Sequence, residues 1–359
     1  MRSTALNLIL APAVLLALAG CGRLFFDDSL NVQQGATTGV TTTATDASAF
    51  TGVTCDQRVT AGTALSVVAF EALLSSGASP ASPYTVCLEQ GVTVTGASNS
   101  IDINATNLRI IGPTSGTAPV LTDISIVSNG AGAEITLENL TVSGDGSGSA
   151  MYISGTSTKI LKNGTVSAPG TTEHAIAFDI SVSACVLKVI GSVVQALGAG
   201  NSAAMYLDAG GSLSNVIEIS GGSVVRGQGA YDAIYLRSPM STLLVTDSTL
   251  EYNSSGSNYG CVWVYQWNTV TMQNSTCTSL GTYGIHINVQ STVSVNDSVI
   301  QSASYAIRDA GSVGAGGNTI NLKDSVFRRY KSSAVAAVGA FFVDTNNAGV
   351  PTGNVSTWN

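Results

Sequence analysis

The sequence predicts an all-β chain wound into a right-handed parallel β-helix, a solenoid of roughly nine coils. Three observations carry that expectation. An apolar spacing recurs along most of the chain, small strand and turn residues dominate its composition, and a helix-like segment stands before the first repeat.

The repeat comes first. Two apolar residues at alternate positions are followed by a turn residue two places on, then by another apolar residue three further. It reads Ile135-Leu137-Asn139-Val142, Leu187-Val189-Gly191-Val194, Ile217-Ile219-Gly221-Val224 and Leu243-Val245-Asp247-Leu250. Val270-Met272-Asn274-Cys277, Val293-Val295-Asp297-Ile300 and Ile320-Leu322-Asp324-Phe327 follow, with a weaker copy at Leu161-Asn163-Val166 and an early one at Leu108-Ile110-Gly112. The anchors recur at about 23–30 residues, a solenoid period. Alternating apolar residues give a strand with one inward face. The Asn, Asp or Gly then takes a left-handed turn, which these residues tolerate best, and an Asn side chain stacked on its neighbour can bond backbone groups that the turn leaves open.

Over about residues 55–345 this pattern resembles the pectin-lyase-like family of right-handed β-helices, with its Asn-containing turn between the second and third sheets. The resemblance implies architecture rather than activity, because that fold hosts lyases, hydrolases, esterases and non-enzymatic adhesins.

The composition agrees. Charged residues make up 10% of the chain, with 39 Gly, and the formal net charge is −8. An acidic chain of this kind excludes nucleic acid as partner, since that needs clustered positive charge. N-x-[ST] occurs, among other positions, at Asn104, Asn139, Asn163, Asn253, Asn274 and Asn354; three of these are turn anchors, so structural use explains them.

Ahead of the repeats, Leu65 to Leu74 predicts an amphipathic helix ended by Ser75-Ser76-Gly77, covering the open edge of the first coil. At the other end Lys323, Arg328, Arg329 and Lys331 gather, as charged protection of the terminal edge or as a basic ligand patch. Segment by segment, the expectation is a signal peptide over 1–20, a flexible Thr/Ala/Gly tether over 21–54, a cap over 55–100, the solenoid over 101–345 and a tail over 346–359.

The first residues set the expected compartment. Arg2 precedes an apolar run from Leu6 to Leu18 that stops at Leu18-Ala19-Gly20-Cys21, a secretory signal too short for a membrane span. These four residues resemble the lipobox of bacterial lipoproteins. That resemblance implies a lipidated Cys21 anchoring the chain to a membrane, with Gly22 leaning toward an outer membrane or cell surface. Cys55 and Cys87 flank one segment and are candidates for a disulfide in an oxidising compartment. Cys185, Cys261 and Cys277 fall within repeats and are expected as buried thiols. No CxxC or His/Cys spacing exists, so no metal and no cofactor is expected.

If the Asn turns join the second and third sheets, the strands after the next loop form the first sheet. Its outward column reads Tyr152, Ala177, Tyr206, Tyr235, Trp263, His286, Arg308, beside a second column of Ser154, Asp179, Asp208, Arg237, Tyr265 and Asn288. Coils stack about 4.8 Å apart, so the aromatic rings form a strip. Rings flanked by planar polar groups suit sugar, and the candidate binding residues are Tyr152, Tyr206, Tyr235, Trp263, Tyr265 and His286; a ladder that only stabilises the sheet is the competing use. Enzymes of the resembled family carry their catalytic groups on this sheet, which makes Asp179, Asp208 and Arg237 the catalytic candidates. The signatures of its polygalacturonases and pectate lyases are absent, and the flanking loops SPMST, QWNT and VQST are short, predicting a shallow face. Three functions follow in order: a non-catalytic surface lipoprotein binding glycan or another macromolecule, a polysaccharide lyase or hydrolase, and a structural spacer.

Overall fold

The computed structural model describes residues 50, 52–75, 84–95, 100–104, 107–127, 133–146, 148–178, 184–208, 214–255, 257–310, 318–329, 335–337 and 341–344, the last two segments and 328–329 by backbone alone. They belong to the second of two compact units, Gly39–Asn359. The segment expected as signal peptide, Cys21, nearly all of the tether, Asp179, Lys331 and the tail lie outside the described residues. No helix among the described residues is long and apolar enough to cross a membrane.

The chain is a parallel β-solenoid. Three sheets of 12, 11 and 10 strands run its length, and every strand pairs with its equivalents in neighbouring coils. The second sheet carries the paired anchors: Ile135 aligns with Lys159, then Leu187, Ile217, Leu243, Val270, Val293 and Ile320. All of these are buried. Inward residues of all three sheets fuse into one continuous core, so each coil is stabilised chiefly by its neighbours.

The turn chemistry between second and third sheets matches the pattern. Asn139, Asn163, Gly191, Gly221, Asp247, Asn274, Asp297 and Asp324 all have φ between 46° and 67°. Two details differ. Gly112 is not left-handed, because the chain there runs a longer loop to its third-sheet strand, Val120–Thr122. And the residue following Val194 in the core column is Val225, not Val224. Gly221 and Gly222 are both left-handed, inserting one residue in the turn and shifting the strand by one.

Asn139 bonds its neighbour coil as expected, its Nδ2 donating to the Gly112 carbonyl at 3.2 Å, but in the later coils the backbone ladder is carried inside the corner by the Ser that follows the turn residue. Ser192, Ser223, Ser248, Ser275, Ser298 and Ser325 are all buried. Each hydroxyl donates to the carbonyl two or three residues back, at 2.6–2.9 Å. Most accept from the coil before: the N–H of Ser248 donates to Ser275 Oγ at 3.2 Å, and that of Ser275 to Ser298 Oγ at 3.1 Å. A serine therefore satisfies backbone groups that the inward turn would otherwise strand.

The corner between first and second sheets repeats the device with other residues. Ala184, Met240, Trp267 and Gln290 hold φ of 51–62°. The buried residue after each joins a second ladder: Cys185 N–H donates to Asn215 Oδ1, Ser241 N–H to Asn268 Oδ1, and Ser291 N–H to Asn318 Oδ1, at 2.8–3.1 Å. Beside it Lys159 is fully buried at an apolar anchor position, its Nζ donating to the carbonyls of Gly155 and Ser157 at 2.8 and 3.0 Å. Burial pushes its amine down and the free Cys185 thiol up.

The helix spans Val67–Ser75, two residues later than expected, because Ala64–Ser66 is a third-sheet strand. Ser66 Oγ caps it by accepting from Ala69 N–H at 3.2 Å. Val67, Phe70 and Leu74 face the core and close its end. Cys55 and Cys87 form a disulfide, beside a small cluster of Phe50, Cys87 and Ile111 on the outside of the second sheet. Cys261 and Cys277 are likewise paired, which corrects their expected role as thiols. The winding brings the start of a first-sheet strand beside a third-sheet strand, with their Cα atoms 6.1 Å apart, within disulfide reach.

Candidate functional site

The outward column of the first sheet lies in the expected register. Tyr152 pairs with Ala177, which pairs with Tyr206, and the column continues through Tyr235, Trp263 and His286 to Arg308. The period of two in each strand turns these side chains outward while Met205, Leu207, Ile234 and Leu236 pack inward.

The rings are in contact. Tyr206 stacks on Tyr235 with centroids 5.1 Å apart, Tyr235 meets Trp263 at 4.4 Å, and Trp263 lies 6.3 Å from His286. Ala177 leaves a gap, and His174 from the same strand fills it, stacked on Tyr206 at 4.1 Å. His174 Nδ1 accepts from Ala203 N–H at 3.1 Å, so a neutral ring carries its proton on Nε2. Burial lowers both His174 and His286 to about 4, which keeps them neutral stacking rings at neutral pH.

The face is not the uniformly shallow strip expected from its short loops. Those loops lie on the side leading to the second sheet. On the opposite side, residues 228–233 and 253–261 run between third and first sheets and raise Tyr231 and Tyr259 beside the column. Tyr231 meets Tyr235 edge-on at 4.9 Å and leans over Tyr206 at 5.4 Å. Tyr235 is consequently buried at 6% exposure, whereas Tyr152 is 37% exposed. Tyr283 and Tyr305 extend the cluster past His286. Asp232, buried between the two loops, accepts from Gly260 N–H at 2.7 Å and ties them together. Burial pushes its carboxyl up to about 8.

The second column splits. Ser154 is buried. Asp208 accepts from Tyr206 Oη at 2.8 Å and from Arg237 Nη1 at 3.0 Å, and the Arg237 guanidinium lies 6.0 Å from the Tyr265 ring centre. Burial, then the hydrogen bond to Asp208, raises the Tyr206 phenol. Asp208 and Arg237 are thus joined to each other and to the ring ladder, an edge of fixed polar groups beside an aromatic floor. The Nε1 of Trp263, in that floor, is a buried donor with no acceptor.

Tyr231 and Tyr259 stand outside the repeat, and His174 is the first residue of its strand, ahead of the alternating positions that the spacing marks. The one sequence signal is a Tyr in each of two successive long third-to-first loops.

No protein-family model matches this chain, and no curated protein matches it. Among solved structures it is similar to the A-module of mannuronan C-5 epimerase AlgE4 from Azotobacter vinelandii, at 13% identity and TM-score 0.40, over 79% of this chain and 88% of that one. The AlgE6 A-module of the same organism gives 14% identity and TM-score 0.35, over 79% and 96%. The catalytic domain of a GH87 α-1,3-glucanase, solved with tetrasaccharides, gives 13% and 0.37, over 80% of this chain and 63% of that domain. The chemistry of the face therefore rests on its own residues.

Proposed function

We propose that the protein binds a glycan chain along the first-sheet face, without catalysis, as a lipid-anchored protein of the outer membrane or cell surface. One observation carries the reading: a contiguous aromatic cluster, His174–Tyr206–Tyr235–Trp263–His286, partly exposed at every ring but the covered Tyr235, walled by Tyr231 and Tyr259 and edged by the Asp208–Arg237 pair. Sugar faces pack on such rings while hydroxyls seek planar polar partners. An apolar patch rimmed by polar groups marks an interaction surface. Tyr231, which comes from a loop and leans across two coils, lies outside the strands that a sheet ladder occupies. The anchor rests on the Leu18-Ala19-Gly20-Cys21 motif.

A glycan array with the purified chain tests this. Tyr231→Ala and Trp263→Ala are expected to lower affinity for the selected glycan at least about tenfold, as loss of a stacking ring at a binding hot spot does. Both variants should retain the wild-type unfolding transition, and no reducing or unsaturated ends should be released. Binding equal to wild type in both variants removes the face as the site. Product release lost on Asp208→Asn makes the protein an enzyme.

A further inference from the structure

A different corner of the solenoid gathers charge that the glycan-binding face does not use. Asp123 lies between Val120–Thr122 and Ile124–Val127, Asp145 follows Thr141–Ser143, and Glu173 precedes His174–Phe178. These are three successive crossings from third sheet to first, so stacking superimposes residues that are far apart in sequence. One carboxylate oxygen from each lies within 4.8 Å of the other two.

Three carboxylates so close repel one another unless something positive stands between them. Neither Asp123 nor Glu173 forms an ion pair with Lys or Arg among the described residues, and the charged neighbours acting on them are each other and Asp145. Glu173 is fully buried. Its Oε2 accepts from Gly170 N–H at 3.0 Å and the backbone of Gly146 also favours its charged form, while its Oε1 is buried with no donor in hydrogen-bond geometry. A buried carboxylate oxygen without a donor is costly and points to a missing positive ligand. Gly144 provides its room: a Cβ there would overlap the Glu173 carboxylate. The separations suit one ion, because two oxygens each about 2.3–2.6 Å from a Ca²⁺ lie at most about 5 Å apart.

We propose that Asp123, Asp145 and Glu173 together hold a hard divalent cation of the Ca²⁺ type, which clamps three successive coils at this corner. Oxygen-only ligands select Ca²⁺ over softer metals. Burial raises the Asp123 carboxyl to about 6 and also raises that of Glu173, so protons are the competing means of relieving the same charge.

The test uses calcium chloride alone on the purified chain after EDTA dialysis, read by titration calorimetry and by the thermal midpoint. About one ion per chain should bind, with Kd at or below about 1 mM, the weak end for extracellular calcium modules, and the midpoint should rise with it. Asp123→Asn is the informative variant: Asp123 has φ 46°, which Asn tolerates, and its Oδ1, which accepts from Asp145 N–H at 3.1 Å, can be kept. It should weaken binding at least about tenfold, since affinity follows ligand charge, while the cation-free unfolding transition persists. Glu173→Gln should do the same and serves if the first variant fails to fold. No heat and no midpoint shift up to about 10 mM Ca²⁺, roughly tenfold past that weak end, overturns the proposal. So does undiminished binding in the variants.

Discussion

Two corners of this solenoid are built on opposite principles. Between second and third sheets the turns from Gly191 to Asp324 are alike: a left-handed Asn, Asp or Gly, then a buried Ser whose hydroxyl serves its own coil and, in most, the one before. Between third and first sheets the crossings vary widely in length. Crossings range from the single residue Asp123 to the nine residues of 253–261, and they hold the carboxylate trio, Tyr231, Tyr259, Asp232 and one end of a disulfide. The regular corner spends its buried hydroxyls on the backbone. The irregular corner presents side chains, which is where binding is expected on a rigid scaffold.

The largest way to break the contrast is covalent. Cys261 ends the loop bearing Tyr259, and its partner Cys277 sits in the third sheet, 16 residues on. Replacing both by Ser should cost about 3 kcal/mol, the usual value for a loop of this size, read from urea midpoints. It should also loosen the aromatic wall, measured as faster amide exchange over 253–261. An unchanged midpoint would mean that the loop needs no staple.

In the regular corner, Ser275→Ala removes the acceptor of the Ser248 N–H and the donor to the carbonyls of Gln273 and Val245. The expected loss is about 1–3 kcal/mol, the cost of an unsatisfied buried group, with glycan binding untouched. If binding falls with stability, the corners are not independent.

A smaller effect separates the corners by pH. The Asp232 carboxyl is raised from 3.8 to about 8, so between those values the folded state holds a proton that the unfolded state has released. Its contribution is present at low pH and lost as pH rises through that window. The two histidines act oppositely: lowered from 6.5 to about 4, they favour the folded state above 6.5 and cease to do so as pH falls toward 4. Above pH 7 only the aspartate contribution is changing among these groups. Wild type should therefore lose stability from pH 7 to 8.5, whereas Asp232→Asn, which can keep the Gly260 bond, should hold level. Parallel profiles would remove Asp232 as the source.

What was legible in the sequence follows the same divide. Spacing alone placed the second-sheet strands, the left-handed turn residues and the pairing of Tyr206 with Tyr235 and Trp263, because each rests on a period of two and a steric rule repeated in every coil. The slip at Val225 escaped because two consecutive glycines allow an extra turn residue that hydropathy does not register. The first-to-second corner escaped because Met240, Trp267 and Gln290 are not residues that turn rules single out; the buried residue after each, hydrogen-bonded to the next coil, holds the turn. Lys159 was visible only as a missing apolar anchor in the weakest copy. The Tyr231 wall and the carboxylate trio are products of stacking between loops of unequal length, and no single coil contains them.

The central claim is that ligand engages the irregular side of the first sheet and leaves the serine corner alone. Hydrogen–deuterium exchange, with and without the glycan selected on the array, tests it most directly. Protection should appear over 228–233, 253–261 and the strands carrying Tyr206, Tyr235 and Trp263, with none at Asp247-Ser248 or Asn274-Ser275. Protection centred on the serine corner, or absent from the aromatic loops while glycan is bound, would contradict it.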